Sequence, residues 1–121
     1  MQILRDYMTA PVISIAPEAN IYEAAKLMAE KSIGSLLVKE KDDYTGMITR
    51  SDIINRVLGE GKDPGEMTVG EACTRPLLTM DYLLTVDETR DKLMRKNVKR
   101  LAVTEQGKVV GIFTYKDLMK T

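Results

Sequence analysis

Gly46-Met47-Ile48-Thr49-Arg50-Ser51-Asp52 returns 65 residues later as Gly111-Ile112-Phe113-Thr114-Tyr115-Lys116-Asp117. Each copy keeps a glycine, two apolar residues, a threonine and an aspartate in the same places. The offset holds upstream without a gap. Thr9 and Pro11 fall on Thr74 and Pro76, Glu23 on Glu88, Lys31 on Lys96, Leu36 on Leu101, and Val38 on Val103. A single offset kept across roughly 45 residues marks an internal duplication. Two copies are too few for a solenoid. They point to a pseudo-twofold pair that buries a shared face.

Each copy reads as β-α-β-β-α. Val12-Ile13-Ser14-Ile15 and Leu77-Leu78-Thr79-Met80 follow a proline and are β-compatible. Asn20 and Thr85 are N-cap types, each with a glutamate three residues on (Glu23, Glu88), as in a capping box. Ile21, Ala24, Ala25 and Met28 then form one helical stripe, which Val86, Thr89 and Leu93 repeat more weakly. Ser35-Leu36-Leu37-Val38 and Arg100-Leu101-Ala102-Val103 are short enough for buried strands. Polar turns follow, over residues 39–45 and 104–108. A second strand ends at Thr49 or Thr114, and a last helix begins near Asp52 or Asp117. The Gly/Pro-rich stretch from Gly59 reads as a linker. The organisation is therefore unit one over 1–58, linker over 59–67 and unit two over 68–121, an α/β (α+β) architecture. Residues before Met8 and residues 68–72 are expected to form short lead-in helices, the second opened by a Thr68/Glu71 capping box.

Composition narrows the chemistry. The chain has 121 residues, 18 basic and 18 acidic, with no histidine and one cysteine. Histidine-based triads, histidine-ligated metals and imidazole switches are excluded. A single cysteine makes no intrachain disulfide and fits a reducing compartment. No apolar run approaches the roughly 20 residues of a membrane span, and no leader is read at the start. The expectation is a soluble, cytoplasmic, non-enzymatic protein that needs no cofactor or metal.

Both units resemble the CBS domain, the module named after cystathionine β-synthase, which occurs in tandem. Its opening Met-Thr-x-Pro stands here as Met8-Thr9-Ala10-Pro11 and, with cysteine for methionine, as Cys73-Thr74-Arg75-Pro76. Its closing Gly-h-h-Thr-x-x-Asp (h, apolar) is the stretch quoted first. The resemblance covers nearly the whole chain. It implies two units packed sheet to sheet about a pseudo-twofold axis, association into a homodimeric disc, and clefts between the units for adenosine ligands. AMP, ADP, ATP and S-adenosylmethionine are the family's ligands. A protein target further downstream is implied but not named.

The residue types suit a nucleoside phosphate. A carboxylate accepts from both vicinal hydroxyls of a ribose, which makes Asp52 and Asp117 the candidates. Thr49 and Thr114 can donate to a phosphate oxygen. Val12-Ile13 and Leu77-Leu78 (Ile13 and Leu78 foremost), Ile33 and Val98, and Ile48 and Phe113 can line an adenine slot. Both aspartates can equally be helix caps, and one residue can do both. Gly46 and Gly111 read as positions of close backbone approach or a bulge.

The copies differ where the second strand begins. Unit one has Gly34-Ser35 and unit two has Lys99-Arg100. The resemblance places basic residues at this corner against ligand phosphates, and a guanidinium binds phosphate through paired charged hydrogen bonds. Ser35 offers one neutral donor. The Thr114/Asp117 site is thus expected to hold a phosphorylated ligand more tightly. Residues 90–100 carry six basic side chains against one acid, a run that reads first as a solvated helix face. Nucleic-acid binding is disfavoured by zero net charge, few aromatics and no known motif. Met28, Met47 and Met94 read as core or interface, and Cys73 as a small buried hydrophobe. Ile54, Leu58 and Met119 lie on apolar helical faces that could meet another subunit. The leading function is an adenosine-nucleotide sensor. The competing one is a ligand-free scaffold or dimerisation protein.

Overall fold

In the computed structural model, which describes residues 2–121, each copy builds one three-stranded sheet. The first contains β1 (Ser14–Ile15), β2 (Ser35–Glu40) and β3 (Asp43–Thr49) in that order, with helix α1 (Ile21–Lys31) between β1 and β2. β1 is parallel to β2, and β2 antiparallel to β3. Parallel neighbours need a crossover, which α1 provides. After β3 come α2 (Arg50–Asp52), a π-helical turn over Ile53–Val57 and a 3-10 turn over Leu58–Glu60. The short helix α3 (Val69–Ala72) leads into the second copy. There β4 (Thr79–Asp81), helix α4 (Val86–Lys96), β5 (Arg100–Glu105) and β6 (Lys108–Thr114) repeat the arrangement, and a 3-10 turn over Tyr115–Lys120 closes it. The mixed α/β class is as the sequence predicts.

The duplication survives in detail. Bounds of α1, β2 and β3 shift by 65 residues onto those of α4, β5 and β6. Register breaks at the same place in both hairpins, between Val38 and Lys39 and between Val103 and Thr104. Both long helices end on a left-handed residue, Ser32 (φ 55°) and Asn97 (φ 52°). Asn20 and Thr85 cap their starts, accepting from the Glu23 and Glu88 N–H groups. One expectation needs correction. Neither 39–45 nor 104–108 is a long turn, because Lys39 pairs with Tyr44 and Glu40 with Asp43, and Thr104 pairs with Val109 and Glu105 with Lys108. Lys41 takes a left-handed φ of 56°, which leaves a two-residue loop. In the second hairpin Gln106 and Gly107 both have positive φ, 52° and 80°, the twist that two-residue hairpins favour.

The compact units do not follow the repeats. One is Ile13–Leu77. The other joins Leu78–Thr121 to the N-terminal segment up to Val12. Each lead-in therefore packs on the strands and helix of the opposite copy. The backbone shows the exchange pair by pair. Thr9 bridges to Ile112 and Thr74 to Met47, and Ile3 bridges to Thr85 and Thr68 to Asn20. Apolar side chains at i, i+3 and i+4 explain it. Val69, Ala72 and Cys73 enter the core of Ile21, Leu36, Val38 and Ile48. Leu4, with Tyr7 and Met8 beside it, joins the core of Val86, Leu101, Val103 and Phe113. The second unit, read from 68 in the sequence, thus begins ten residues before the physical boundary at Leu77/Leu78.

The exchange also explains the two motif glycines. A Cβ on Gly46 would lie 2.7 Å from the Thr74 carbonyl oxygen, and one on Gly111 would lie 2.6 Å from Met8 Sδ and 3.0 Å from the Thr9 carbonyl. The opening motif of one copy thus lies against the closing motif of the other. The Ala10-Pro11 and Arg75-Pro76 peptide bonds are both cis.

Candidate functional site

Hairpin register brings the predicted residues to one end of each sheet. Ser35 stands opposite Thr49, and Arg100 opposite Thr114. The next residue closes the corner: the Arg50 N–H donates to the Gly34 carbonyl at 3.1 Å, and the Tyr115 N–H to the Lys99 carbonyl at 2.7 Å. The neighbouring segment joins from the other side. Leu37 N–H donates to the Ile13 carbonyl at 3.0 Å, and Ala102 N–H to the Leu78 carbonyl at 2.9 Å. Ile13, Ser35, Thr49 and Asp52 gather in this way in one unit, and Leu78, Arg100, Thr114 and Asp117 in the other. Ile33 is half-buried beside the first core. Val98 is 37% exposed, and Lys99 is exposed.

Both aspartates are buried, Asp52 at 8% and Asp117 at 3% relative exposure. Each closes its box by accepting from the preceding threonine's backbone. Thr49 N–H reaches Asp52 Oδ2 at 3.0 Å, and Thr114 N–H reaches Asp117 Oδ2 at 2.8 Å. The other oxygens have different partners. Asp52 Oδ1 receives the Thr74 hydroxyl at 3.3 Å and lies 3.7 Å from Arg56 Nε. Asp117 Oδ1 lies 3.3 Å from Lys120 Nζ, while the Thr114 hydroxyl donates to Oδ2 at 3.3 Å. Capping is thus present at both positions. An ionised carboxylate offers about four lone-pair sites, so acceptor capacity remains at each.

The adenine-slot reading needs a correction at two residues. Ile48 and Phe113 are fully buried at the centres of the two cores, packed under α1 and α4. They face away from any surface a ligand could reach. Met94 is 73% exposed and so is not core, whereas Met28, Met47 and Cys73 are buried as expected.

Arg50 is the residue that sequence comparison overlooks. Its guanidinium covers Gly34, with Cζ 3.2 Å from the place a Cβ would take there. Unit one therefore also carries a cation at its corner, supplied from α2 rather than from the start of β2. The clue in sequence was the pairing of a missing side chain at 34 with an arginine at 50, where the other copy has Lys99 and Tyr115. Arg50 also borders an open apolar groove of about 400 Å³, lined by Ala25, Met28, Ala29, Ile33, Ile53 and Ile54 among others. Among the described residues, no three His, Cys, Asp or Glu side chains gather in a way that could hold a metal. Nor, among the described residues, is any helix long and apolar enough to cross a membrane.

Comparison with known proteins accords with this geometry. The sequence profile of the CBS domain matches residues 4–59 and 69–121. An uncharacterised conserved protein of Pyrococcus horikoshii is 33% identical, with a TM-score of 0.91 over 98% of this chain and 90% of that one. The hexameric CBS-CP12 protein of bloom-forming cyanobacteria is 28% identical, with a TM-score of 0.91 over 97% of this chain and 66% of its own. An uncharacterised protein of Methanopyrus kandleri is 32% identical over 111 residues, 90% of this chain. This chain spans only 57% of that relative's length.

Proposed function

Given that the chain belongs to the CBS domain family, two such domains in tandem, we propose that this regulatory CBS-pair module binds an adenosine nucleotide at its Thr-x-x-Asp corners. The observation that carries the reading is the register. In both units it sets a buried carboxylate, a threonine and an open strand start at one corner, with a cation beside them. The carboxylate can accept both bonds of a ribose diol once one of its present partners gives way, and the cation and threonine have the donors a phosphate needs. Ile13 and Leu78, with Ile33 and Val98, offer apolar edge for the base. S-adenosylmethionine fits the diol and base requirements, but its sulfonium brings a further positive charge to corners that already hold cations. AMP, ADP or ATP is therefore the better match. The module senses rather than catalyses, and nucleotide binding shifts the packing it presents to a protein target.

Isothermal titration with AMP and ATP tests this. Arg100→Ala is expected to weaken binding by about 1.5–3 kcal/mol, the range for a charged hydrogen bond, and Ser35→Ala by less. Equal affinity in wild type and Arg100→Ala refutes the phosphate role. Silence with every adenosine ligand leaves the scaffold reading.

Self-association belongs to the same reading. Ile54 and Leu58, one helical turn apart, are 58% and 55% exposed, Met119 is 79% exposed, and the cyanobacterial relative is a hexamer. Light scattering on the purified chain decides between a monomer and the expected homodimer.

A further inference from the structure

The two carboxylates differ in what a ligand must displace. Asp52 accepts from the Thr49 N–H and the Thr74 hydroxyl and faces Arg56 Nε, so three of its roughly four lone-pair sites are engaged. A vicinal diol donates two hydrogen bonds. At least one present partner must leave, and the two longest contacts are Arg56 at 3.7 Å and Thr74 at 3.3 Å. Both lead to the same segment. Arg56 Nη1 also donates to the carbonyls of Ala72 at 3.3 Å and Cys73 at 3.1 Å, at the end of α3. Thr74 is the next residue, and its backbone pairs with Met47 in β3. Arg56 itself sits in the π-helical turn Ile53–Val57, a geometry frequent where a helix does more than pack.

Asp117 has no such connection. Its cation, Lys120, belongs to the same 3-10 turn, Tyr115–Lys120, as Asp117 itself. Among the described residues, no hydrogen bond joins Asp117 to the exchanged N-terminal segment. Position 121, which corresponds to Arg56, is a threonine.

We propose that Arg56 is a positioning residue that couples ligand occupancy of Asp52 to the docking of the exchanged segment Val69–Thr74, and that the Asp117 site binds without this coupling. The inference rests on the nucleotide reading above. A diol at Asp52 draws the carboxylate away from Arg56 and Thr74 and loosens residues 69–77. Reciprocally, loosening that segment favours the ligand, because a coupling free energy acts equally in both directions. One corner is then the switch and the other a holding site.

Hydrogen exchange read by mass spectrometry on the full chain, with and without saturating AMP, tests the coupling. In wild type, exchange across residues 69–77 is expected to rise at least threefold on AMP binding. Arg56→Gln is expected to exchange quickly there before AMP is added and to gain nothing further from it. Asp117→Asn is expected to keep the response and Asp52→Asn to lose it. A merely structural Arg56 would give Arg56→Gln a faster baseline on which the AMP-induced rise persists, and that outcome overturns the coupling. AMP bound at Asp52 with unchanged or slower exchange over 69–77 overturns the coupling alone. So does free Arg56→Gln that exchanges like wild type. No calorimetric binding of AMP, ADP, ATP or S-adenosylmethionine overturns the ligand reading, and the coupling with it.

Discussion

Asp52 and Asp117 stand 65 residues apart in equivalent boxes, yet the oxygens they leave over face different parts of the chain. The first reaches across to a segment that belongs, in sequence, to the other copy. The second stays within one turn. Duplication made the two corners alike, and drift at positions 56 and 121 made them unequal. The cations show the same drift. In one unit a guanidinium comes from Arg50 and lies over a glycine. In the other, Arg100 opens the strand and Lys99 stands just before it. A pair of this kind need not fill both sites with equal consequence, since a ligand shifts a conformational equilibrium only through its differential affinity.

The sharpest break in the comparison is tested at the core. Phe113 and Ile48 occupy one repeat position and are both completely buried. Phe113→Ala is expected to cost about 3–5 kcal/mol and Ile48→Ala about 2–5 kcal/mol, because each removes buried atoms and leaves a cavity. Urea denaturation measures both. Were either residue the wall of a ligand slot, its loss would leave the midpoint nearly unchanged and instead weaken nucleotide affinity.

Those two residues also show where sequence reading succeeds and fails. The duplication was legible because side-chain period and caps are local: Asn20 with Glu23 and Thr85 with Glu88 mark helix starts wherever the helices pack. The nearness of Arg100 to Thr114 was implied by the family resemblance and not by the hairpins, whose register the sequence left open because the loop over 39–45 is shorter than its polar residues suggest. The inward turn of Ile48 and Phe113 was misread because β-strand alternation says which residues share a face but not which face meets a helix. The exchange of lead-ins left no trace in the alignment of the copies. Leu4, Tyr7 and Met8 carry the same spacing as Val69, Ala72 and Cys73, so either core could accept either stripe on pattern alone. Arg50 over Gly34 was hidden because it joins positions 16 apart through a side chain that periodicity does not track.

A second, smaller effect probes the exchange itself. Gly46→Ala sets a methyl 2.7 Å from a backbone oxygen, Thr74 O, whereas Gly111→Ala meets first the flexible end of Met8. Overpacking of this kind costs about 1–3 kcal/mol, and the Gly46 variant belongs at the upper end because a carbonyl in a bridge cannot swing aside. Denaturant midpoints rank the two. Gly111→Ala proving the costlier would mean that the Met8 side chain is less free than its position implies. Combining Gly111→Ala with Met8→Ala should recover part of the loss at that site, and no equivalent rescue exists for Gly46.

The smallest effect separates the lead-ins. α3 opens with a complete capping box: the Thr68 N–H donates to Glu71 Oε1 at 3.0 Å, and the Glu71 N–H donates to the Thr68 hydroxyl oxygen at 3.2 Å. The turn Leu4–Asp6 begins at Ile3, which has no side chain able to cap it. The backbone N–H of Thr68, and after it the Thr68 hydroxyl, hold the Glu71 carboxyl below its ordinary value. A lowered value means that folding favours the ionised form. The stabilisation is present above the unfolded pKa and is lost as pH falls through the folded one. Thr68→Ala is expected to cost about 0.5–2 kcal/mol at neutral pH. Glu71→Gln should lose less, since an amide oxygen still accepts from Thr68. Its deficit relative to wild type should shrink as the solution is acidified through the carboxylate range and vanish at the acid end. Urea midpoints of both chains between pH 7 and pH 3 give that difference directly. A deficit that stays constant with pH would show that the Glu71 charge contributes nothing to holding α3, leaving the threonine alone to distinguish the second lead-in from the first.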